Sequence, residues 1–395
     1  MNNNIERRGK FTVEAPFMAP LLLTCLIIFF VHGCSKLKQS SADLNNNEHS
    51  YKIAVAAPQF GPYKALGLSI VNGAELAVEQ KNKSGGIGGK KIELIKIDDG
   101  GLAGEGTWRA KGLVEEMVLG VIGHLNSDIS IPASEIYSKA MIPEISPGST
   151  NPFFTERKPV RGYVFRTIGR DDQQGEVSAH FALSQNFEKM AVLYNNRSYG
   201  ESLASEFVQV INMAENTDIV FYETYMVGQH DFSKEVSAMK EKSPDLVFFV
   251  GEYGDAAKFL NQFRSSGLSS AFLGSEGVYD QDFITNAKVH SDKALVISLP
   301  EVEDKNFILN YKKKFSKELG SYSANSFDAT NILISAIEKV KEEDPEKIAK
   351  AVRETKDFSG LTGSISFNDK GDLLHPKFSI YVVKNGMFQA LEGKY

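Results

Sequence analysis

Three short loops hold the residues of this 395-residue chain that could do chemistry. They are His124-Leu125-Asn126-Ser127-Asp128, Ser146-Pro147-Gly148-Ser149-Thr150 and Gly274-Ser275-Glu276-Gly277. Hydroxyls and N–H groups at the start of a helix suit an anion such as a carboxylate. A glutamate in a glycine-rich loop suits an ammonium, which it meets by charge-assisted hydrogen bonds. Together the loops describe a socket for a small zwitterion. Each also has a plain structural explanation. Ser127 and Asp128 are ordinary helix caps, 146–150 is a turn, and Glu276 alone is a surface charge. Taken singly, those explanations are the better ones. Only the shared position at strand ends favours a site.

The elements that must position these loops alternate along the chain. Lys52–Ala57, Ile92–Ile97, Gly120–Gly123 and Ile142–Ile145 read as strands, with helix-period segments Leu66–Lys83, Thr107–Val118 and Ile129–Ala140 between them. A second series follows Pro159–Arg170, with strands at Ala191–Tyr194, Ile219–Tyr225, Leu246–Val250, Ala271–Leu273 and Ala294–Ser298. Asp171–Gln185, Glu201–Ala214, Phe232–Lys240 and Ala256–Ser265 are its helices. Helical Asn306–Leu319, Ala329–Lys341 and Glu346–Glu354 come next, and β segments at Ser364–Phe367 and Phe378–Val383 end the chain. Alternating strands and helices imply parallel sheets with crossover helices. A chain this long favours two cores over one. The expected fold class is therefore α/β, with two doubly wound Rossmann-like lobes and ligand contacts beyond the carboxyl ends of the strands.

The first fifty residues read differently. Arg7, Arg8 and Lys10 precede an apolar run from Phe17 to Val31, closed by Gly33 and Cys34, the order of an export signal. The apolar centre, Leu21–Val31, is short for a bilayer span of roughly 20 residues. Val31-His32-Gly33-Cys34 resembles the lipobox of bacterial lipoproteins, with His32 a departure at its third position. Residues 1–33 are thus expected to be a signal peptide, and residues 34–50 a polar tether lipidated at Cys34. An uncleaved anchor helix is the alternative. Cys25 and Cys34 are the only cysteines, so cleavage and lipidation leave no disulfide, thiol nucleophile or cysteine metal site.

Other chemistries are poorly supported. The net charge of −6 and the lack of a basic stripe speak against nucleic acid. Gly85–Gly89 follows a helix rather than a strand, and no Gly-Lys-Ser/Thr ends the run Gly100–Gly104, so neither is a phosphate loop. There is no Gly-x-Ser-x-Gly elbow and no His-Glu-x-x-His helix. The histidines lack ligand-like spacing, so no metal or other cofactor is expected. His124 and the pair Asp98-Asp99 read as structural, Trp108 as a core residue of its helix, and Tyr311–Lys317 as a solvated face.

Several blocks resemble the periplasmic leucine/isoleucine/valine-binding protein family. They are Val121–Tyr137 (VIGHLNSDISIPASEIY), Ile145–Thr150 (ISPGST), Tyr199–Ala204 (YGESLA) and Gly274–Val278 (GSEGV). Shorter matches include Asn72–Ala77, Gly85–Ile87, His230–Phe232 and Lys370–Leu373, in order from Lys52 to the C-terminus. The resemblance implies that Ser127 and Thr150 hold an α-carboxylate, that the Gly148 carbonyl and Glu276 take the α-ammonium, and that Tyr199 closes over the ligand. Two positions depart from the pattern. Leu66 stands where branched-chain binders often place an aromatic, and Glu252 where they carry a second tyrosine; Tyr253 follows it and is a candidate substitute. Glu252 either enters the cleft, favouring a polar or cationic ligand side chain, or turns to solvent. The resemblance further implies a hinge between lobes 51–169 plus 300–374 and 170–299 plus 375–395. It also implies a non-enzymatic, monomeric binding protein that serves the permease of an ABC-type importer from the outer side of a bacterial membrane. A receptor ectodomain of the same fold and an extracytoplasmic hydrolase are the alternatives.

Overall fold

The computed structural model describes residues 50–391. The signal segment, Cys34 and most of the expected tether lie outside these residues. The chain runs β1 (Tyr51–Ala56), α1 (Lys64–Lys83), β2 (Ile92–Ile97), α2 (Ala103–Glu115), β3 (Val121–Gly123), α3 (Ser127–Lys139), β4 (Glu144–Ser146), α4 (Phe153–Glu156) and β5 (Val164–Arg166). Next come α5 (Asp171–Ser184), β6 (Lys189–Asn195), α6 (Ser198–Ile211), β7 (Asp218–Tyr225), α7 (Ser233–Lys242), β8 (Leu246–Val250), α8 (Tyr253–Ser265), β9 (Ala271–Gly274), α9 (Gln281–Ala287) and β10 (Leu295–Ser298). The last part holds α10 (Lys305–Phe315), α11 (Ser323–Val340), α12 (Pro345–Arg353), β11 (Phe358–Gly360), β12 (Gly363–Ile365), β13 (Ser379–Lys384) and β14 (Met387–Ala390).

Among the described residues the strands form two main sheets. The first is all parallel, in the order β2-β1-β3-β4-β5. The second has the order β14-β13-β10-β9-β8-β6-β7, parallel from β7 to β10 and antiparallel from β10 to β14. A small hairpin pairs β11 with β12.

Alternation along the strands explains why both sheets are covered twice. In β1, Ile53 and Val55 face the layer of α1 and α11, while Ala54 and Ala56 face α2 and α3. In β8, Leu246, Phe248 and Val250 pack toward α5 and α6, and Val247 and Phe249 toward α8. Strands buried on both faces read as continuous apolar runs, as LVFFV does.

The chain passes between the sheets three times. Residues 167–170 lead from β5 to α5, which packs on α6; residues 299–304 lead from β10 back to α10–α12, beside α1; residues 374–378 lead to β13. The first passage is fixed by charge. Arg166, fully buried, pairs with Asp372 at 2.8 Å, and Arg170 reaches the same carboxylate at 3.0 Å.

Some expectations are corrected. Trp108 is 61 % exposed rather than a core residue. Helix α2 buries Gly106, Ala110 and Leu113, spaced for one face, and Trp108 falls on the other, where Arg109 lies 4.5 Å from its ring centre. The segment 311–317 is not simply a solvated face either. Tyr311 is buried, and Lys314 pairs with Glu75 and Glu79 of α1. The helix ends at Phe315, where Ser316 takes a left-handed conformation at φ 53°. Strand β5 lay unmarked in 159–170, because a buried arginine interrupts its apolar signal.

Candidate functional site

A narrow cleft lies where the two sheets point the carboxyl ends of their strands at each other. Its walls come from strand-to-helix loops, as expected for parallel sheets. Ser127 is the first residue of α3 after β3, and Gly148 follows β4. From the second sheet come Tyr199 in the first turn of α6, Glu252 between β8 and α8, and Glu276 just after β9.

The first-sheet side is braced by a network of hydroxyls. Ser146 Oγ donates to the His124 carbonyl at 2.7 Å and accepts from the N–H groups of Gly148 and Ser149. The Ser149 and Ser130 hydroxyls meet at 2.5 Å. Arg166 donates to the carbonyls of Ser149 and Asn151, so the loop is held from beneath as well. A Cβ at Gly148 would fall 2.8 Å from the Leu125 side chain and 3.3 Å from its backbone, so the two loops pack closely here. Ser127 opens a helix whose first N–H groups lack partners within the helix, an arrangement suited to a carboxylate.

The opposite side is acidic. Glu276 is buried, and the Tyr199 hydroxyl donates to its Oε2 at 2.6 Å. Burial raises its pKa, and the Tyr199 and Gln174 side chains oppose that rise. Glu252 is also buried, with the Asn195 amide donating to both carboxylate oxygens at 3.3 and 3.1 Å. Burial, with Asp255 adding to it, pushes its carboxyl up to about 8. Gly251 fixes the approach to Glu252, because a Cβ there would fall 1.9 Å from the Tyr225 hydroxyl oxygen.

Six of the expected residues meet in this cleft: Leu66, Ser127, Gly148, Tyr199, Glu252 and Glu276. Thr150 is buried one layer back. Its side chain faces Asp171, whose carboxyl burial pushes up to about 8 and Thr150 partly lowers. Tyr253 does not line the cleft. As the first residue of α8 it is mostly buried, and its hydroxyl lies against the Ala65 backbone of α1. It is Glu252, in extended backbone at the helix cap, that points inward. Leu125 and Asn126 of the loop before α3 also line the cleft, as do Tyr63 and Tyr322, to which no sequence signal pointed. Tyr63 and Tyr322 each precede a helix, α1 and α11, in segments whose hydrophobic pattern reads as core.

His124 is structural, as its sequence position suggests. It is fully buried, with Nδ1 2.7 Å from Asp99 and Nε2 3.2 Å from the Tyr137 hydroxyl, which engages both ring nitrogens. Neighbouring Asp98 turns the other way and accepts from the N–H groups of Gln59 and Gly100.

Two α/β sheets facing each other across a polar, closed cleft define a two-lobed solute-binding protein. The family described as periplasmic binding protein matches residues 50–387. A Leu/Ile/Val-binding protein homolog 1 from Brucella suis is 32% identical over 347 residues, covering 87% of this chain and 92% of that one. The leucine-, isoleucine-, valine-, threonine-, and alanine-binding protein of Pseudomonas aeruginosa is 32% identical over 338 residues, 84% of this chain and 89% of its own. Among solved structures, LivJ of Streptococcus pneumoniae, a branched-chain amino acid transporter substrate-binding protein in complex with isoleucine, superposes with a TM-score of 0.79 at 27% identity, covering 86% of this chain and 98% of that one. The chain belongs to the periplasmic binding protein family. Its relatives are solute-binding proteins rather than enzymes, and so is this chain; the family also implies a place outside the cytoplasm. No helix of the described residues is long and apolar enough to cross a membrane.

Proposed function

We propose that this protein captures an α-amino acid between two lobes and delivers it to the permease of an ABC-type importer, held to a bacterial membrane by lipid on Cys34. One observation carries the reading. The Ser127 and Gly148 loops of one sheet and the Tyr199–Glu276 pair of the other face each other across a single small cleft. A carboxylate at the start of α3 and an ammonium at Glu276 would occupy its two sides.

The lobes are taken as 51–169 with 300–374 and 170–299 with 375–395, and the three passages between the sheets are the hinge. Ligand favours the closed form because only that form offers both sets of contacts. The relatives that bind leucine, isoleucine and valine support an amino acid as the solute. A thermal-shift screen over the common L-amino acids tests the proposal, since a ligand selective for the folded state raises the melting temperature. At least one should raise it and show 1:1 binding by calorimetry; no response from any of them would refute amino-acid capture. For the anchor, Cys34→Ser should move the protein from the membrane fraction to the soluble one, and a variant still in the membrane fraction would refute lipidation.

A further inference from the structure

The cleft has polar wall where an aliphatic side chain would need it apolar. Glu252 is 9 % exposed and its carboxylate has one hydrogen-bonding side chain, the Asn195 amide. Beside it stands the Tyr63 hydroxyl, on a residue 2 % exposed, with no hydrogen-bond partner among the described residues. Both groups line the cleft. The cation that acts on both groups is Arg197, and it is already engaged by Asp128 at 2.5 Å. Two buried oxygen-bearing groups thus face the same space with too few donors between them.

An aliphatic ligand would seal them there. An ionised Glu252 would sit against methyl groups with the Asn195 amide as its one side-chain donor, and the Tyr63 hydroxyl would stay without a partner; a buried polar group left unpaired is costly. Leu66 and the Tyr322 ring supply apolar wall beside these two groups, enough for a short alkyl stem but with a polar end.

We infer that the solute is an amino acid whose side chain ends in nitrogen donors, an amide or an amine, received by Glu252 and the Tyr63 hydroxyl. This rests on the amino-acid reading of the cleft and narrows it. One N–H meets a Glu252 oxygen and another meets the tyrosine oxygen, so both groups gain partners on closure. Asn195 then acts as a positioning residue: its amide holds the carboxylate, and its carbonyl oxygen accepts the N–H of Arg197 at 3.2 Å.

The test is calorimetric titration of the full exported chain with glutamine, asparagine, lysine, ornithine, threonine, leucine and isoleucine. Wild type should bind at least one of the first four ten-fold or more tighter than leucine, isoleucine or threonine. The amide and amine arms tell the two nitrogen sources apart. Glu252→Tyr should erase or invert that preference. If this bulky change misfolds, Glu252→Gln, which keeps shape and loses the charge, should weaken an amine ligand more than ten-fold while an amide ligand loses less. Leucine, isoleucine or threonine binding as tightly as the nitrogen-bearing ligands overturns this inference but leaves amino-acid capture standing. No binding of any amino acid to folded wild type would sink both.

Discussion

The Arg197 guanidinium meets the Asp128 carboxylate at 2.5 Å and joins the first turn of α6 to the first turn of α3. The same two turns carry Tyr199 and Ser127, which line the cleft and are proposed to close over a solute and to receive its carboxylate. The Asn151 amide adds a second tie, donating to the Ser198 carbonyl at 2.9 Å. Both contacts join loops of one sheet to loops of the other, so under the proposed hinge closure they belong to the closed state.

Loss of the Arg197–Asp128 pair should therefore shift the protein toward an open form. Both partners are partly exposed, so the pair is worth about 1 kcal/mol, or roughly a five-fold change in an equilibrium. Asp128→Asn is expected to weaken solute binding by about that factor and to enlarge the radius of gyration of the ligand-free protein in X-ray scattering. Unchanged scattering and affinity would mean that the latch carries no weight.

Replacement of Glu276 should be more severe. It is buried, and its proposed partner is a cation enclosed by the closed cleft. Truncating one side of such a pair costs about 2–5 kcal/mol, much of it from the charge left unpaired. Glu276→Gln should reduce amino-acid affinity by 30-fold or more in calorimetry with little change in melting temperature. Affinity within three-fold of wild type would remove Glu276 from the site.

Asp372 offers a test of the scaffold rather than of the cleft. It is buried against fully buried Arg166, whose guanidinium also holds the Ser149 and Asn151 carbonyls. Asp372→Ala strands that guanidinium, and breaking a buried ion pair from one side costs about 3–5 kcal/mol. Urea unfolding should show a loss of that size, accompanied by weaker solute binding because the Thr150 loop is released. A loss below about 1 kcal/mol would contradict the anchoring role.

The buried acids also set a pH dependence. Burial lifts Glu252 from 4.5 to about 8, and Asp255 and Glu276 add to the rise while Asn195 and Arg197 oppose it. Between those values the folded chain keeps a proton that the unfolded chain has lost, so ligand-free stability falls as pH rises through that window. That rise of about 3.5 pH units sets an upper bound of about 5 kcal/mol. Asp171, also raised to about 8, acts in the same direction. Glu252→Gln should therefore stabilise the ligand-free protein at pH 8 and have little effect at pH 5, as read by melting temperature across pH. An equal effect at both would show that Glu252 ionises freely in the fold.

The residues themselves determined a good deal. Apolar runs such as LVFFV and helix-period segments such as 66–83 require alternating strands and helices, because a strand buried on both faces has no polar side and a covering helix has one. That alternation places ligand contacts at strand ends, and Ser127, Gly148 and Glu276 were legible there before any coordinates. Tertiary structure alone decided which of two adjacent residues, Glu252 or Tyr253, enters the cleft, because the direction of a side chain at a helix cap depends on how the strand before it is packed. It also decided that Trp108 faces outward, and that Arg197 finds Asp128 sixty-nine positions away. Pairings of that range leave no local periodicity to read; they exist only once the loops of the two sheets have been brought together.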